Sequence, residues 1–208
     1  MKNAYALLIA GDEERFAADI NGIKEFLVDE ALFDQTRINL FYGSHHNIKT
    51  EIESFFNKIK GQKVVIVYSG HGNKGKIYPT KIPLQYEELG KLISSVGQFI
   101  FINDTCYSGS CIPIFTPSLL PEKGLVITSC QEDEKTNLPE SMNSLFLENI
   151  ISSYRKKQPF KPILQPKWPV HVLDFSTSTS YEMVETPIEK LQHPQRCGLS
   201  LDHLLFPQ

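Results

Sequence analysis

One histidine and one cysteine of this sequence stand in surroundings that suit nucleophilic catalysis. His71 lies in the segment SGHG at residues 69–72, and Cys106 lies in the segment DTCYSG at residues 104–109. A free thiol is mostly protonated at neutral pH, so a nucleophilic cysteine needs a base such as imidazole to remove its proton. The imidazole can later return that proton to the leaving amine. These residue types are therefore typical of a catalytic Cys-His dyad formed by Cys106 and His71.

The glycines on either side of His71 would let a substrate backbone come close. The backbone N–H groups of Gly72 and Cys106 are candidate donors to the oxyanion of acyl transfer, and each such donor contributes about 3–4 kcal/mol in other hydrolases. Each motif alone also has a purely structural explanation. A single cysteine is often a small buried side chain, and a single Gly-His-Gly is often a turn.

Five short apolar runs indicate the strands that must position these residues. The predicted strands are Tyr5 to Ile9, Arg37 to Tyr42, Lys63 to Tyr68, Gln98 to Ile102 and Leu125 to Thr128. Helical spacing of apolar residues separates them. The predicted helices follow the possible caps Asp12 and Asn47, extend from Gln85 to Val96, and lie around Met142 to Tyr154. This alternation predicts an α/β fold with a parallel sheet covered by helices on both faces.

The two candidate residues follow the third and fourth predicted strands. Parallel sheets bind ligands beyond the carboxyl ends of their strands, and neighbouring strands lie about 4.8 Å apart. If these strands are adjacent, His71 and Cys106 emerge at the same edge of the sheet, within reach of each other.

Composition excludes several other classes of function. The chain has 208 residues, 41% of them hydrophobic, and a net charge of −3. This charge provides no positive field for nucleic acid or an acidic membrane surface. The four cysteines have no CxxC spacing, which argues against structural zinc and a disulfide scaffold. The apolar run near the start is too short for a membrane span. We therefore expect a cytoplasmic protein that binds neither nucleic acid nor membrane.

The last fifty residues differ in composition from the rest. Of the 13 prolines, seven lie between Pro159 and Pro207, and proline interrupts helices and sheet ladders. We predict a catalytic core over residues 1–158. We expect residues 159–208 to form a mostly extended segment packed on the same domain, in which Trp168 to Phe175 could add an edge strand.

The two motifs together resemble the signature segments of the caspase–metacaspase superfamily. The matching residues are YSGHG at 68–72 and DTCYSG at 104–109, and the metacaspase-like branch is the closer one. The resemblance covers residues 4–155 and implies a caspase-like, doubly wound α/β core. It also implies a cysteine endopeptidase with His71 and Cys106 as its dyad. Tyr107 stands where metacaspases commonly have His, and the animal-caspase QACxG pattern is absent, so the subfamily stays open.

The resemblance also implies three substrate contacts. Asp104, two residues before the nucleophile, matches the residue that lines the primary specificity pocket of metacaspase-like members. Ser69 and Asp19 match two further contributors to that pocket. An acidic pocket would select Arg or Lys on the acyl side of the cleaved bond through charge-assisted hydrogen bonds. The structural alternatives are a loop-capping carboxylate for Asp104 and a solvated helix residue for Asp19.

No cofactor is expected from these motifs. Some metacaspases need calcium, and residues 131–134 (QEDE) are acidic, but they lack the spacing of an EF-hand. The expected partner is a protein or peptide substrate, and an activating protein is a further candidate. Two alternatives stay open: a catalytically silent caspase-fold scaffold, and a partner-activated protease of a bacterial signalling or defence system. A nucleotide-binding α/β protein is disfavoured, because no GxGxxG or GxxxxGK[ST] follows the first strand.

Overall fold

The computed structural model describes residues 3–43, 47–115, 124–136 and 144–156, together with the backbone of residues 195–198. Within them the strands are β1 (Tyr5–Ala10), β2 (Ile38–Tyr42), β3 (Lys63–Ser69), β4 (His71–Asn73), β5 (Lys76–Tyr78), β6 (Leu84–Gln85), β7 (Gln98–Asp104), β8 (Gly124–Thr128) and β9 (Gln195–Gly198). The α-helices are α1 (Glu14–Asp29), α2 (Ile48–Lys58), α3 (Tyr86–Ile93), α4 (Ile112–Phe115) and α5 (Leu145–Arg155).

The main sheet has the strand order β2-β1-β3-β7-β8-β9. Its first five strands are parallel, and β9 is antiparallel to β8 at the edge. The chain adds β2 on one side of β1 and then β3 on the other, which is the reversal that defines a doubly wound sheet. The predicted α/β class, with a mostly parallel sheet and helices on both faces, is confirmed.

Burial on both faces explains why the central strands are apolar throughout. In β3, Val65 and Val67 pack into a core that includes apolar residues of α1 and α5. Their neighbours Val64 and Ile66 pack on the opposite face, against apolar residues of α2 and α3. Successive side chains of a strand point to opposite faces, so a strand that is covered twice needs apolar residues at every position.

A second, three-stranded antiparallel sheet, β4-β5-β6, follows directly after β3. The sequence did not predict it, because strands of two or three residues are too short to show a period. The same holds for β9, which lies in the proline-rich segment and pairs with β8 through its backbone. The predicted strand at Trp168 to Phe175 lies outside the described residues.

The helix starts differ from the prediction in detail. The N-cap of α1 is Glu13, one residue after the predicted Asp12, and its side chain makes no capping hydrogen bond. Asn47 is the N-cap of α2, also without a side-chain capping bond. The third helix is shorter than predicted and ends at Ile93. Helix α5 begins after Ser144, whose hydroxyl accepts from the Leu147 N–H at 3.2 Å.

Candidate active site

The carboxyl ends of β3 and β7 bring the two sequence motifs together. The strands pair in register, with Ser69 opposite Asp104, and the Gly70 N–H donates to the Asp104 carbonyl oxygen at 3.2 Å. His71 and Cys106 each follow two residues later. Both candidates therefore lie at one edge of the sheet, as the adjacency of the two strands requires. The His71 side chain is about half exposed, and Cys106 is partly buried.

The backbone and ring of His71 are held by its neighbours. The Tyr68 hydroxyl donates to the His71 carbonyl oxygen at 2.6 Å. A tyrosine hydroxyl is protonated at neutral pH, and burial raises the pKa of Tyr68 further above its usual value. The Phe16 ring contacts the imidazole edge to face, with centroids 5.1 Å apart. The Nε2 atom of His71 is hydrogen-bonded to a carboxylate oxygen of Glu13.

A tight turn follows Cys106. Tyr107 adopts the left-handed conformation, with φ 59°, which is uncommon for a non-glycine residue and is found where surrounding structure enforces it. Its N–H donates to the Glu134 carbonyl oxygen at 2.6 Å. The Cys106 Sγ lies 3.3 Å from Thr136 Oγ1, and either atom can donate. The loop after β8, which the sequence suggested only as a calcium candidate, therefore packs against the candidate nucleophile.

Gly72 has no space for a side chain. A Cβ atom at this position would lie 2.3 Å from Thr105 Oγ1 and 2.9 Å from the Cys106 carbonyl oxygen. The backbone of β4 therefore rests directly on the turn that carries the candidate nucleophile.

Replacing Gly72 by alanine is expected to displace one of these two segments and to lower Tm. Under the peptidase function that the resemblance implies, kcat/KM should also fall at least about tenfold. Gly22→Ala is the matched control, because a Cβ atom there meets nothing within 4 Å and alanine is the better helix former. Peptidase assays and thermal melts of both variants check this. Unchanged activity and Tm in Gly72→Ala would mean that the close packing has no consequence.

The three predicted substrate contacts form one buried polar cluster. Ser69 Oγ donates to Asp19 Oδ2 at 2.7 Å, and the Ser144 N–H donates to Asp19 Oδ1 at 2.8 Å. Ser144 Oγ donates to Asp104 Oδ2. Asp19 is only 7% exposed and Asp104 only 3%, so the alternative of a solvated helix residue is wrong for Asp19. The sequence missed Ser144, although a serine before an apolar helical run is a recognisable cap.

Burial dominates the electrostatics of the polar cluster. It raises the pKa of Asp104 to about 6, and the nearby charge of Asp19 acts in the same direction. Burial also raises the pKa of Asp19, against the hydrogen bonds from Ser144 and Ser69. Above about pH 6 Asp104 is therefore mostly ionised. Asp19 and Ser144 also line a cavity of about 510 Å³ between α1 and α5, where Glu25 and Glu148 add negative charge.

Cys106 is the most accessible of the cysteines whose side chains are described. Cys111 and Cys130 are fully buried, and burial raises the pKa of Cys130 to about 11, so its thiolate is scarce at neutral pH. In the described part of the chain, no three His, Cys, Asp or Glu side chains are grouped as a metal ion would require. No helix among the described residues is long and apolar enough to cross a membrane.

Solved structures with the same fold include two eukaryotic proteins and one bacterial protein. Spodoptera frugiperda caspase-1 matches with a TM-score of 0.54 at 12% identity, over 74% of this chain and 68% of that one. Chaetomium thermophilum Raptor matches with a TM-score of 0.52 at 13% identity, over 73% of this chain and 18% of Raptor. A Geobacter sulfurreducens protein matches with a TM-score of 0.50 at 15% identity, over 74% and 83%.

No curated protein sequence matches the chain. The family model of the caspase domain, in contrast, matches residues 4–205, which is nearly the whole sequence. The resemblance inferred from the two motifs thus extends over the sheet, the helices and the polar cluster. The chain belongs to the caspase-domain family.

Proposed function

We propose that this protein is a cysteine endopeptidase in which Cys106 is the nucleophile and His71 is its base. The observation that carries the proposal is the position of these two residues, which follow paired strands at one sheet edge. Cys106 is also the one thiol, among those whose side chains are described, that a substrate can reach. The proposed substrate is a protein or peptide, and the proposed setting is the cytoplasm, because the cysteines lack the pattern of a disulfide scaffold.

The chemistry follows from the residue types. His71 takes the proton of the Cys106 thiol as Sγ attacks the substrate carbonyl carbon. The N–H groups of Gly72 and Cys106 are the proposed donors to the resulting oxyanion. The carbon–nitrogen bond then breaks, and His71 gives its proton to the leaving amine. Water, deprotonated by His71, hydrolyses the remaining thioester and frees Cys106.

The polar cluster of Asp19, Ser69, Asp104 and Ser144 is the proposed primary specificity pocket. An ionised carboxylate has about four acceptor positions. In the structure Ser144 uses one on each aspartate, Ser69 uses a second one on Asp19, and Ser129 uses a second one on Asp104. The remaining positions suit a guanidinium or ammonium group, which would also compensate the buried charge. We therefore propose cleavage after Arg or Lys.

A pH dependence of substrate binding follows from the pKa of Asp104, which burial raises to about 6. Its carboxyl is mostly neutral below that pH and mostly ionised above it, and a cation binds the ionised form. The KM for a peptide ending in Arg should therefore fall roughly tenfold between about pH 5 and about pH 7.5. Steady-state kinetics across this range test it. A KM that does not change, or one that changes equally in Asp104→Asn, would contradict this assignment.

The closed state of the cluster favours a protease that a partner activates, as a second candidate. Ser144 bridges both aspartates, and it is itself only 1% exposed. A movement of the start of α5 would give a basic side chain access to Asp104. A partner protein or a cation that shifts this helix would then open the pocket.

A positional-scanning peptide library tests the proposed function directly. The wild-type protein and Cys106→Ala should be assayed side by side, each with and without calcium. The proposal expects cleavage after Arg or Lys by the wild type alone. Cleavage that appears only with calcium would support activation by a cation, and no cleavage under either condition would contradict a protease that is active without a partner.

A further inference from the structure

We propose that Glu13 is the positioning residue for His71, so that the site works as a Cys106–His71–Glu13 triad. This inference rests on the proposed function, since it assigns the group that orients the base. Glu13 lies directly before α1, whereas His71 begins β4, and the two side chains meet across 58 positions of sequence through the His71 Nε2 atom and Glu13 Oε1.

The Glu13 side chain is not used for helix capping. Glu13 is the N-cap residue of α1, a position that prefers Ser, Thr, Asp or Asn because their short side chains bond to the first helical N–H groups. Its carboxylate makes no such bond. It contacts His71 through one oxygen and Arg15 Nε through the other, at 2.7 Å. Glu13 is therefore a poor helix cap. Both contacts of its carboxylate are with His71 or with a residue beside His71.

Arg15 and Phe16 extend the support for the imidazole. The Arg15 guanidinium lies over the Phe16 ring, 4.7 Å from its centroid, and the Phe16 ring packs edge to face against His71. Arg15 forms an ion pair with the Glu13 carboxylate, and Phe16 packs against the imidazole ring. The first turn of α1 thus holds His71 from two directions.

The hydrogen bond decides which nitrogen can act as the base. A carboxylate is an acceptor only, so Glu13 requires a proton on Nε2. In the neutral imidazole Nδ1 is then unprotonated and is the atom free to take the Cys106 proton. When that proton arrives, the ring is an imidazolium beside a carboxylate, which stabilises it during attack. Glu13 touches neither substrate nor sulfur in this role and acts only through His71.

Glu13→Gln tests this role with almost no change in shape. A glutamine amide can donate to Nε2 and so allows the opposite tautomer, in which Nδ1 carries the proton and cannot accept another. We expect kcat to fall about 10- to 100-fold with KM within about twofold, because Glu13 is outside the proposed specificity pocket. The effect is smaller than for a buried triad carboxylate, since Glu13 is 42% exposed and water screens its charge. Glu13→Asp, which keeps the carboxylate, should recover part of the lost kcat.

Glu14→Gln is the matched control. It removes the same charge one position away, at the first residue of α1, and Glu14 is exposed. Any general effect of charge at the start of the helix appears in both variants, and the orientation of His71 is altered only in Glu13→Gln. The control should keep wild-type kcat within about twofold.

Nitrogen-15 NMR of the histidine ring gives a readout that does not need peptidase activity. Long-range proton–nitrogen spectra at a pH where the ring is neutral should show the Nε2–H tautomer for His71 in wild type and Glu14→Gln, and loss of that preference in Glu13→Gln. The alkylation rate of Cys106 by iodoacetamide should fall in the same variant. If the wild type cleaves no peptide, the proposed function fails, and these two measurements still decide the role of Glu13. Wild-type tautomer and kcat in Glu13→Gln would overturn the inference.

Discussion

Cys106→Ala is expected to abolish peptidase activity and leave the fold intact, because it removes the nucleophile and little volume. Among the described residues the sulfur forms a hydrogen bond only with Thr136, so its loss should hardly change Tm. His71→Ala should be nearly as damaging, since removing either member of a cooperating unit costs most of the rate. Fluorogenic peptide assays and thermal melts of both variants check this.

For each of the two variants, one result would exclude the catalytic role of the replaced residue. More than about a tenth of wild-type turnover in either protein would refute the assignment of that residue. A fall in activity that is matched by an equal loss of folded protein would show a structural role instead. The melting curves separate these two results.

The second large effect concerns specificity. Asp104→Asn is expected to lower kcat/KM for peptides ending in Arg about 10- to 100-fold, which corresponds to a charge-assisted hydrogen bond of about 1.5–3 kcal/mol. Peptides ending in Asp should be poor substrates of the wild type. Because Asp104 is buried and its pKa is raised to about 6, the asparagine removes a charge that burial penalises, and the fold should tolerate it.

Asp133→Asn is the control for this experiment. It removes an exposed carboxylate from the loop after β8, near the candidate nucleophile but outside the polar cluster. It should leave the preference for Arg unchanged. Efficient cleavage after Asp by the wild type, with peptides ending in Arg ignored, would overturn the acidic pocket.

Long apolar strands made most of the sheet predictable from sequence. β3 and β7 are buried on both faces, so their residues carry a continuous apolar signal, and the polar motifs at their ends are obvious by contrast. Strands β4, β5 and β6 have only two or three residues each, and they form because they pair with one another. No local pattern could have indicated them.

Only the site residues that belong to a recognisable sequence motif could be predicted. Asp104 and Ser69 lie within the two motifs, so the resemblance identified them directly. Ser144 reaches Asp19 across 125 positions of sequence, and Glu13 reaches His71 across 58. Such contacts arise from the packing of α1 and α5 against the sheet, which one sequence does not display. The prediction of Asp12 as the cap of α1 failed for a similar reason. The N-cap is Glu13, which makes no capping bond and instead contacts His71, and capping preferences do not predict such a residue.

The most direct test of the central claim is to label the nucleophile with a reagent whose chloride the attacking thiolate displaces. A peptidyl chloromethyl ketone ending in Arg should be incubated with wild type and His71→Ala, followed by intact-mass measurement and peptide mapping. The proposed mechanism predicts a single adduct on Cys106 in the wild type, formed much more slowly in His71→Ala, and none on Cys111 or Cys130. An adduct on another residue, or equal rates of modification in both proteins, would contradict it.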